Sequence, residues 1–577
     1  MSDFIYSSIT QNKHKLKAIM QHTSLSSVSN VLEYHGLWGS LAVGANRYHG
    51  FKPIENDKHI FVVIGGPVLY FTDNDFLTDG GSDIGTFKLY SRYLEGLLRW
   101  DEDLSGPFAI VIIDKVANQV TYVTDLLSFI PIHYYFADGT LFFGSHEDVL
   151  VEASGQQNAW DRVSLVDFIL TRKVTFPHTV FQSVYQSEPA AVYEYQVQDG
   201  KAVSISEEHY WVPTAEQKYD SVHRASIDLR SGIEGYVNRV TNRMNAVAQF
   251  LSAGEDSRCV AAMIPRSLKR DGYIFLDAMN TEGRIANRIA EVFGVSLNVL
   301  YRDPNYYIEI LPQATNLVGA SYQYVNAHSI GFYKECGLEQ YDAVFGGFLA
   351  DTLLKGFYVG KRKSVDQRLV HRICDQAIET KLRERWDESL DRIESYGMAR
   401  DSEWRSLWPI TQHFDLSNLH ATRRLFKSYE PFMCKEVVKI AAAVPEKWKL
   451  KRRLFQKAMK PYLCQSKWVP HPKNFLPCFP WWLNDRIGLI VKYQIARQYN
   501  SYCDKHNFQG PWTNWARLTH GAEFVKATEN YTDTIQLLSK LTGSDISIII
   551  RDNLLKPMQR LSLLQVLYAL DFNRDKC

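Results

Sequence analysis

The sequence predicts two domains of different class: a β-rich N-terminal part and an α/β C-terminal part built on a parallel sheet. Three observations carry this. The 577 residues exceed what one hydrophobic core supports. Short apolar or alternating runs, separated by turn residues, crowd the first third of the chain. From about residue 222 the pattern changes to strand, helix, strand, helix, strand, the order of a parallel sheet covered on both faces.

In the first part the strand candidates are Ile60–Val63, Phe108–Ile113, Val120–Val123 and Leu141–Gly144, with Asp138-Gly139 as a turn. Strands spaced this closely suit antiparallel sheets packed face to face. Val192–Gln196 followed by Asp199-Gly200 predicts a hairpin. Tyr210–Pro213 then leads into the polar stretch Ala215–Asp220, which sets the expected domains at 1–215 and 216–577. In the second part Val222–Val240 predicts a helix with Ile227, Ile233, Val237 and Val240 on one face. Ala246–Leu251 predicts a strand that runs into Ser252-Ala253-Gly254-Glu255-Asp256-Ser257, and Tyr273–Leu276 a second strand. Ile285, Ile289 and Phe293, with Ala286 and Ala290 beside them, mark a helix that Gly294 stops in a left-handed conformation. Val295, Leu297 and Val299 alternate as a third strand, and Ala343–Phe345 is another, ending at Gly346-Gly347. The remainder reads as a mostly helical extension.

Composition excludes several classes. Lys+Arg is 65 against Asp+Glu 64, a formal charge of +1, which predicts no nucleic acid and no anionic membrane as partner. No apolar run approaches the roughly 20 residues that cross a bilayer, and residues 1–25 carry no secretory signal pattern. The eight cysteines, Cys259, Cys336, Cys374, Cys434, Cys464, Cys478, Cys503 and Cys577, form no CxxC pair and no Cys/His cluster, so structural zinc is not expected. Sparse thiols of this kind read as reduced, in a cytoplasmic protein. A homodimer is compatible with all of this. None of the cysteines lies in the first 258 residues.

The chemistry sits where ligands of open α/β sheets bind, at the carboxyl ends of strands. Leu251 through Ser257 is one such end. Small residues there let successive N–H groups face one concavity, and the following helix adds its positive end, which together suit phosphate. No lysine follows a second glycine, so this is not a Walker loop. Asp256 would repel phosphate unless Mg²⁺ lay between them; its alternative role is that of a helix N-cap. The second end is Gly346-Gly347-Phe348-Leu349-Ala350-Asp351, again glycines and then an acid on the first turn of a helix. Asp256 and Asp351 at two neighbouring strand ends are placed to share one metal ion and a triphosphate, or each simply caps a helix.

These segments resemble the asparagine synthetase family. Leu251–Ser257 is similar to the Ser-Gly-Gly-x-Asp-Ser pyrophosphate loop of ATP pyrophosphatases. Gly347–Gly356 reads Gly-Phe-Leu-Ala-Asp-Thr-Leu-Leu-Lys-Gly against the family's Gly-Glu-Gly-Ala-Asp-Glu-Leu-Phe-Gly-Gly. Ala442 to Val444-Pro445 and Lys451–Ala458 resemble the family's Leu-Pro and Lys-Tyr-Leu-Leu-Arg-x-Ala stretch. In the first domain Leu104–Ala109 resembles Leu-x-Gly-x-Phe-Ala, and Asp125 through Pro131 to Tyr134-Tyr135 resembles Arg-Asp…Pro-Leu-Tyr-Tyr. The resemblance covers about residues 40–480. It implies an Ntn-hydrolase-like β-sandwich followed by an adenine nucleotide α-hydrolase-like, doubly wound parallel sheet. It also implies a ligase that converts a small-molecule or peptide carboxylate to an acyl-adenylate with ATP and Mg²⁺, then joins it to ammonia or a substrate amine. On that reading Leu251, Ser252, Ala253, Gly254, Glu255, Asp256 and Ser257 hold pyrophosphate, and Asp256 and Asp351 hold the metal. Phe275 and Leu276 meet adenine, while Gly346 and Gly347 approach the nucleotide. Arg258 either touches phosphate or lies on the helix surface. Arg452 in an ungapped alignment, or Lys451 with a one-residue gap, takes the place of the family's catalytic lysine; both otherwise belong to a solvated basic run.

Two departures matter. Glutamine-dependent members carry an N-terminal cysteine nucleophile after Met removal, whereas this chain reads Met1-Ser2-Asp3-Phe4, and a serine hydroxyl is a far weaker nucleophile. The expectation is no glutaminase activity, as in β-lactam synthetases and lasso peptide cyclases. Phe348 stands where the family has Glu or Tyr, so another group must accept the second-step proton; Lys355 and Tyr358 lie nearby, though each also suits a packed position, and Asn326 and His328 fall on a loop before the Gly346 strand. Competing readings are asparagine synthetase proper running on ammonia, and an ATP-binding protein that does not ligate. A thiolation reading through Cys259 fails, because that residue falls inside a helix.

Overall fold

The computed structural model describes residues 3–22, 31–360, 365–499 and 510–574. Ser2, Cys503 and Cys577 lie outside them. The first part contains two six-stranded antiparallel sheets. One is ordered Val184–Gln186, His133–Ala137, Thr140–Gly144, Phe4–Ser7, Gly39–Gly44, Val31–Gly36. The other is ordered Lys201–His209, Ala191–Gln198, Gln119–Thr124, Phe108–Asp114, His59–Gly65, Ile54–Glu55. Phe4, Tyr6, Leu41 and Val43 of the first meet Ile60, Val62, Ile64, Ala109, Val111 and Ile113 of the second in a shared core. The intervening residues Phe61, Val63, Phe108, Ile110 and Ile112 face the other way, into a core that also takes Leu229, Ile233 and Tyr236. The second sheet is therefore buried on both faces, which is why its strands read as unbroken apolar runs. Asp199 (φ 51°) and Gly200 (φ 77°) make the hairpin turn between Ala191–Gln198 and Lys201–His209. Six strands of these sheets escape the sequence pattern: Phe4–Ser7, Val31–Gly36, Gly39–Gly44, His133–Ala137, Val184–Gln186 and the two-residue Ile54–Glu55.

The chain leaves these sheets at His209 and enters the helix Val222–Thr241. Its buried residues include Ala225, Leu229, Ile233, Tyr236, Val237 and Val240, whereas Ile227 is 38% exposed. The expectation for Ile227 is corrected by geometry: six residues separate it from Ile233, which turns it well away from that face. A five-stranded parallel sheet follows, ordered Ser296–Tyr301, Lys269–Leu276, Ala246–Phe250, Ala343–Phe345, Ser428–Tyr429. The first three strands step one way across the sheet and the last two step the other way. The order reverses between Ala246–Phe250 and Ala343–Phe345, so the crevice at their carboxyl ends is the switch point where such sheets take ligands. Gly294 adopts φ 65° at the end of Thr281–Phe293.

The C-terminal extension is helical, and its last helix, Pro557–Arg574, packs Val566, Leu567 and Leu570 against Val163, Val166 and Phe168 of the first part. Among the described residues no helix is long and apolar enough to cross a membrane. Cys464 and Cys478 are joined in a disulfide across 14 residues, which corrects the expectation of reduced thiols throughout. The end of Arg453–Leu463 and the segment before Trp481 come side by side only in the folded chain, and no spacing motif signals it. Cys259, Cys336, Cys374 and Cys434 are free and buried.

Candidate active site

Both glycine-bearing strand ends flank the switch point. Ala246–Phe250 runs into the loop 251–254, and the helix Glu255–Met263 starts from Gly254 with no side chain capping it. The loop is held largely from within. Ser252 N–H donates to Ser257 Oγ at 3.1 Å, Gly254 N–H donates to Ser252 Oγ at 3.1 Å, and Ser257 Oγ donates to the Ser252 carbonyl at 3.2 Å. Ala253 N–H donates to Glu282 Oε1 at 2.8 Å. A carboxylate from the next helix thus sits on the cradle that the sequence assigns to phosphate. Leu251 and Ala253 are buried in the core beneath.

Arg258 neither faces solvent nor reaches toward a ligand. It is buried and donates to the carbonyls of Gly254, Ala253, Val469 and Pro470, which ties the loop to the segment 469–470. Burial pulls it down to about 10. Cys259, next along, is fully buried, and burial pushes its thiol up.

From the second strand end, Gly347 packs on the loop helix: a Cβ added there would stand 2.9 Å from Asp256 Cβ and 3.1 Å from Ser257 N. At Gly346 a Cβ would stand 2.2 Å from Glu430 Oε1. These glycines are needed for close approach, not for a special φ. Leu349 does adopt a left-handed φ of 67°, at the register where the resembled motif has glycine. The short helix Ala350–Leu354 then presents Asp351.

Asp256 and Asp351 do come together, but around an ammonium. Lys355 Nζ is 2.5 Å from Asp256 Oδ1, 2.8 Å from Asp351 Oδ1 and 3.5 Å from Glu255 Oε2. Burial works against the lysine's charge, and Asp256 and Asp351 overcome it, so its pKa is raised. Burial pushes Asp256 up to about 6 against the pull of Lys355. The sequence offers Lys355 only as a candidate proton acceptor or a packed or exposed helix position, not as the partner of these acids. Its signal was present in principle, since Asp351 and Lys355 are four apart on one helical turn.

Arg452 and Lys451 part company. Both have left-handed backbones, φ 62° and 52°, and point in different directions. Arg452 ion-pairs with Glu255 on the loop helix and lies 4.1 Å over the Phe475 ring, and burial pulls it down to about 10. Lys451 lies 3.6 Å over the Trp481 ring, outside this cluster. Phe275 is buried in a stack with Phe332, 4.5 Å between centroids, and the Leu276 carbonyl accepts the Arg302 N–H at 2.8 Å. Tyr358 is spent on a 2.6 Å hydrogen bond with His413 Nδ1. His328 is half-buried beside Phe275 and Trp512, with its ring pulled down to about 4 by desolvation, and Asn326 donates to the Phe414 carbonyl at 3.0 Å.

One residue that sequence reasoning missed lies at this edge. Glu430 follows the last strand, is buried, and accepts the Phe348 N–H at 2.9 Å; burial pushes its carboxyl up to about 8.

In the first domain Asp3, at the foot of the central strand Phe4–Ser7, is buried and held by Arg424 at 2.7 Å, Arg423 at 3.0 Å and Ser145 Oγ at 2.8 Å. Burial raises its carboxyl, and the two guanidiniums more than reverse this, leaving it well below the usual range.

Residues 82–211 match the sequence profile of the glutamine amidotransferase domain, so the first part carries a domain of amidotransferase type. No curated protein matches the chain significantly. Among solved structures, an allosteric regulatory enzyme of purine biosynthesis overlays at 10% identity, 52% of this chain, 80% of that chain and a TM-score of 0.24. Glutamine phosphoribosylpyrophosphate amidotransferase from B. subtilis, complexed with ADP and GMP, overlays at 7% identity, 52% of this chain, 90% of that chain and a TM-score of 0.22. TM-scores this low leave the fold to be described by the chain's own topology.

Proposed function

We propose that the protein is an ATP-dependent ligase that forms an amide bond through an acyl-adenylate. The observation that carries this reading is the convergence, at the switch point of the parallel sheet, of loop 251–257, Gly346-Gly347, Asp351 and Arg452. A carboxylate oxygen attacks the α-phosphorus of ATP, the bond to the β-phosphate oxygen breaks, and pyrophosphate leaves. Ammonia or an amine then attacks the acyl carbon, AMP departs, and the amine gives up a proton. The first step needs alignment and compensation of charge on the leaving group. Arg452 and Lys355 are the cations at the loop helix, each now held by its acids, and the uncapped start of that helix adds N–H donors.

The position that a Mg²⁺ shared by Asp256 and Asp351 would take is filled here by the Lys355 ammonium. Among the described residues no group of three His, Cys, Asp or Glu side chains is arranged to hold an ion. The donor set as it stands does not fit the metal, and no step is routed through it.

The first domain is proposed to be inert toward glutamine. Its amidotransferase-type region contains no cysteine, and the buried start of its central strand is filled by the Asp3 cluster with Arg423 and Arg424. The test of the whole reading is product analysis with a panel of carboxylic acids and ammonia or amines. AMP and pyrophosphate are expected, with no glutamate formed from added glutamine. ADP and phosphate, or nucleotide turnover that ignores the acid, would overturn it.

A further inference from the structure

Beyond Lys451 the surface opens into a groove that the ligation chemistry does not use. Two packed helices form its floor. On Val222–Thr241, His223, Ile227 and Arg230 recur at i, i+4 and i+7; on Arg453–Leu463, Arg453, Lys457 and Lys460 do the same. Both stripes line one cavity of about 740 Å³, whose lining also includes Pro480, Trp481 and Trp482. That volume is within the ~300–1,000 Å³ typical of ligand sites.

Its charge is one-sided. Five cations line it, Lys451 included, and no carboxylate does. Arg230 pairs with Glu234 at 3.8 Å. Among the described residues, Lys451, Arg453, Lys457 and Lys460 have no ion pair within 4 Å. Like charges at this helical spacing repel one another. In a chain of net charge +1, such a cluster is a local concentration and does not reflect a generally basic surface. Trp481 and Trp482 are 40% and 51% exposed beside it. The Cys464–Cys478 disulfide ties the end of the floor helix to the segment entering the Trp481 wall, so the shape is preformed.

We propose that this groove binds an acidic peptide segment, its carboxylates on Arg453, Lys457 and Lys460 and an apolar side chain against Trp481 and Trp482. The confined volume and the overall charge favour a short peptide over a nucleic acid, which needs an extended basic face. Lys451 adjoins Arg452, so under the ligase reading a peptide held here is the recognition segment of the substrate. Binding itself does not depend on that reading.

The test is fluorescence anisotropy on the full chain, without ATP, using a labelled peptide of Glu, Asp and Leu, its Gln, Asn and Leu counterpart, and a single-stranded oligonucleotide. The acidic peptide is expected to bind saturably and to weaken with salt. The double variant Lys457→Glu/Lys460→Glu should bind it at least about tenfold less tightly, and Trp481→Ala should weaken both peptides. Unchanged melting of the variants excludes a folding defect. Equal affinity for the neutral peptide, indifference to charge reversal, or tighter binding of the oligonucleotide would overturn the proposal. Carboxylate-dependent pyrophosphate exchange on the same variants separates failure of the groove from failure of the ligase reading.

Discussion

At the scale of residues, the site is defined by charges whose partners lie in different elements. Lys355 is the clearest case. Its buried ammonium offsets the half-buried Asp256 and the exposed Asp351, so Lys355→Met leaves the two carboxylates without their cation. The variant is expected to lose about 1–2 kcal/mol at pH 8, less than the cost of breaking a fully buried pair because water screens Asp351. Added Mn²⁺ should raise its melting temperature more than it raises that of the wild type; an equal rise in both would show that the lysine does not fill the ion's place. Glu430 carries a different signature. Its carboxyl titrates near 4.5 when unfolded and near 8 when folded, because burial disfavours the charge. The protonated form is the one the fold prefers, so its contribution is full below pH 4.5 and is lost as pH rises through 8. Glu430→Gln should therefore gain on the wild type by several degrees in Tm between pH 5 and pH 8.5. A constant difference across that range would contradict the buried, singly bonded carboxyl described here.

At the scale of elements, packing decides what a glycine is for. Gly347→Ala drives a methyl into the first turn of Glu255–Met263, where backbone must move, and is expected to cost about 1–3 kcal/mol and to lower adenylation. Gly235→Ala, on Val222–Thr241 with open space around it, should instead stabilise by roughly 0.5–1 kcal/mol. Urea melts of the two variants check the contrast, and equal effects would sink it. The sequence made the strand ends at Leu251 and Gly346 legible because each follows a short apolar run and breaks it with small residues. It also made legible that Asp256 and Asp351 belong together, since each sits one turn into a helix after such an end. The fifth strand, Ser428–Tyr429, was invisible because two residues carry no period. Glu430 was hidden with it. Glu282 was hidden because its role depends on a neighbouring helix reaching across to Ala253, and Arg258 because its four carbonyl partners are brought together only by the fold.

At the scale of the whole molecule, the two parts share cores and a buried charge cluster. Asp3 reaches from the first sheet to Arg423 and Arg424, and Tyr48 donates to the Ser428 carbonyl at the edge of the parallel sheet. Asp3→Asn leaves two buried guanidiniums without their anion, and is expected to destabilise the whole chain by about 3–5 kcal/mol. A melt in which only the first part loosens would contradict a joint core. The foot of the central strand thus serves to join the two parts, and the proposed function places the chemistry on the other side of the joint. That assignment is tested most directly by carboxylate-dependent ATP–pyrophosphate exchange in the wild type, Asp256→Asn and Asp351→Asn. The wild type is predicted to exchange with at least one acid of the panel; both variants, which take an acid from the Lys355 ammonium at the loop helix, are predicted to lose exchange by about a hundredfold or more while still melting cooperatively, at a temperature lowered by no more than several degrees. Normal exchange in both variants, or an exchange that needs no carboxylate, would contradict the account.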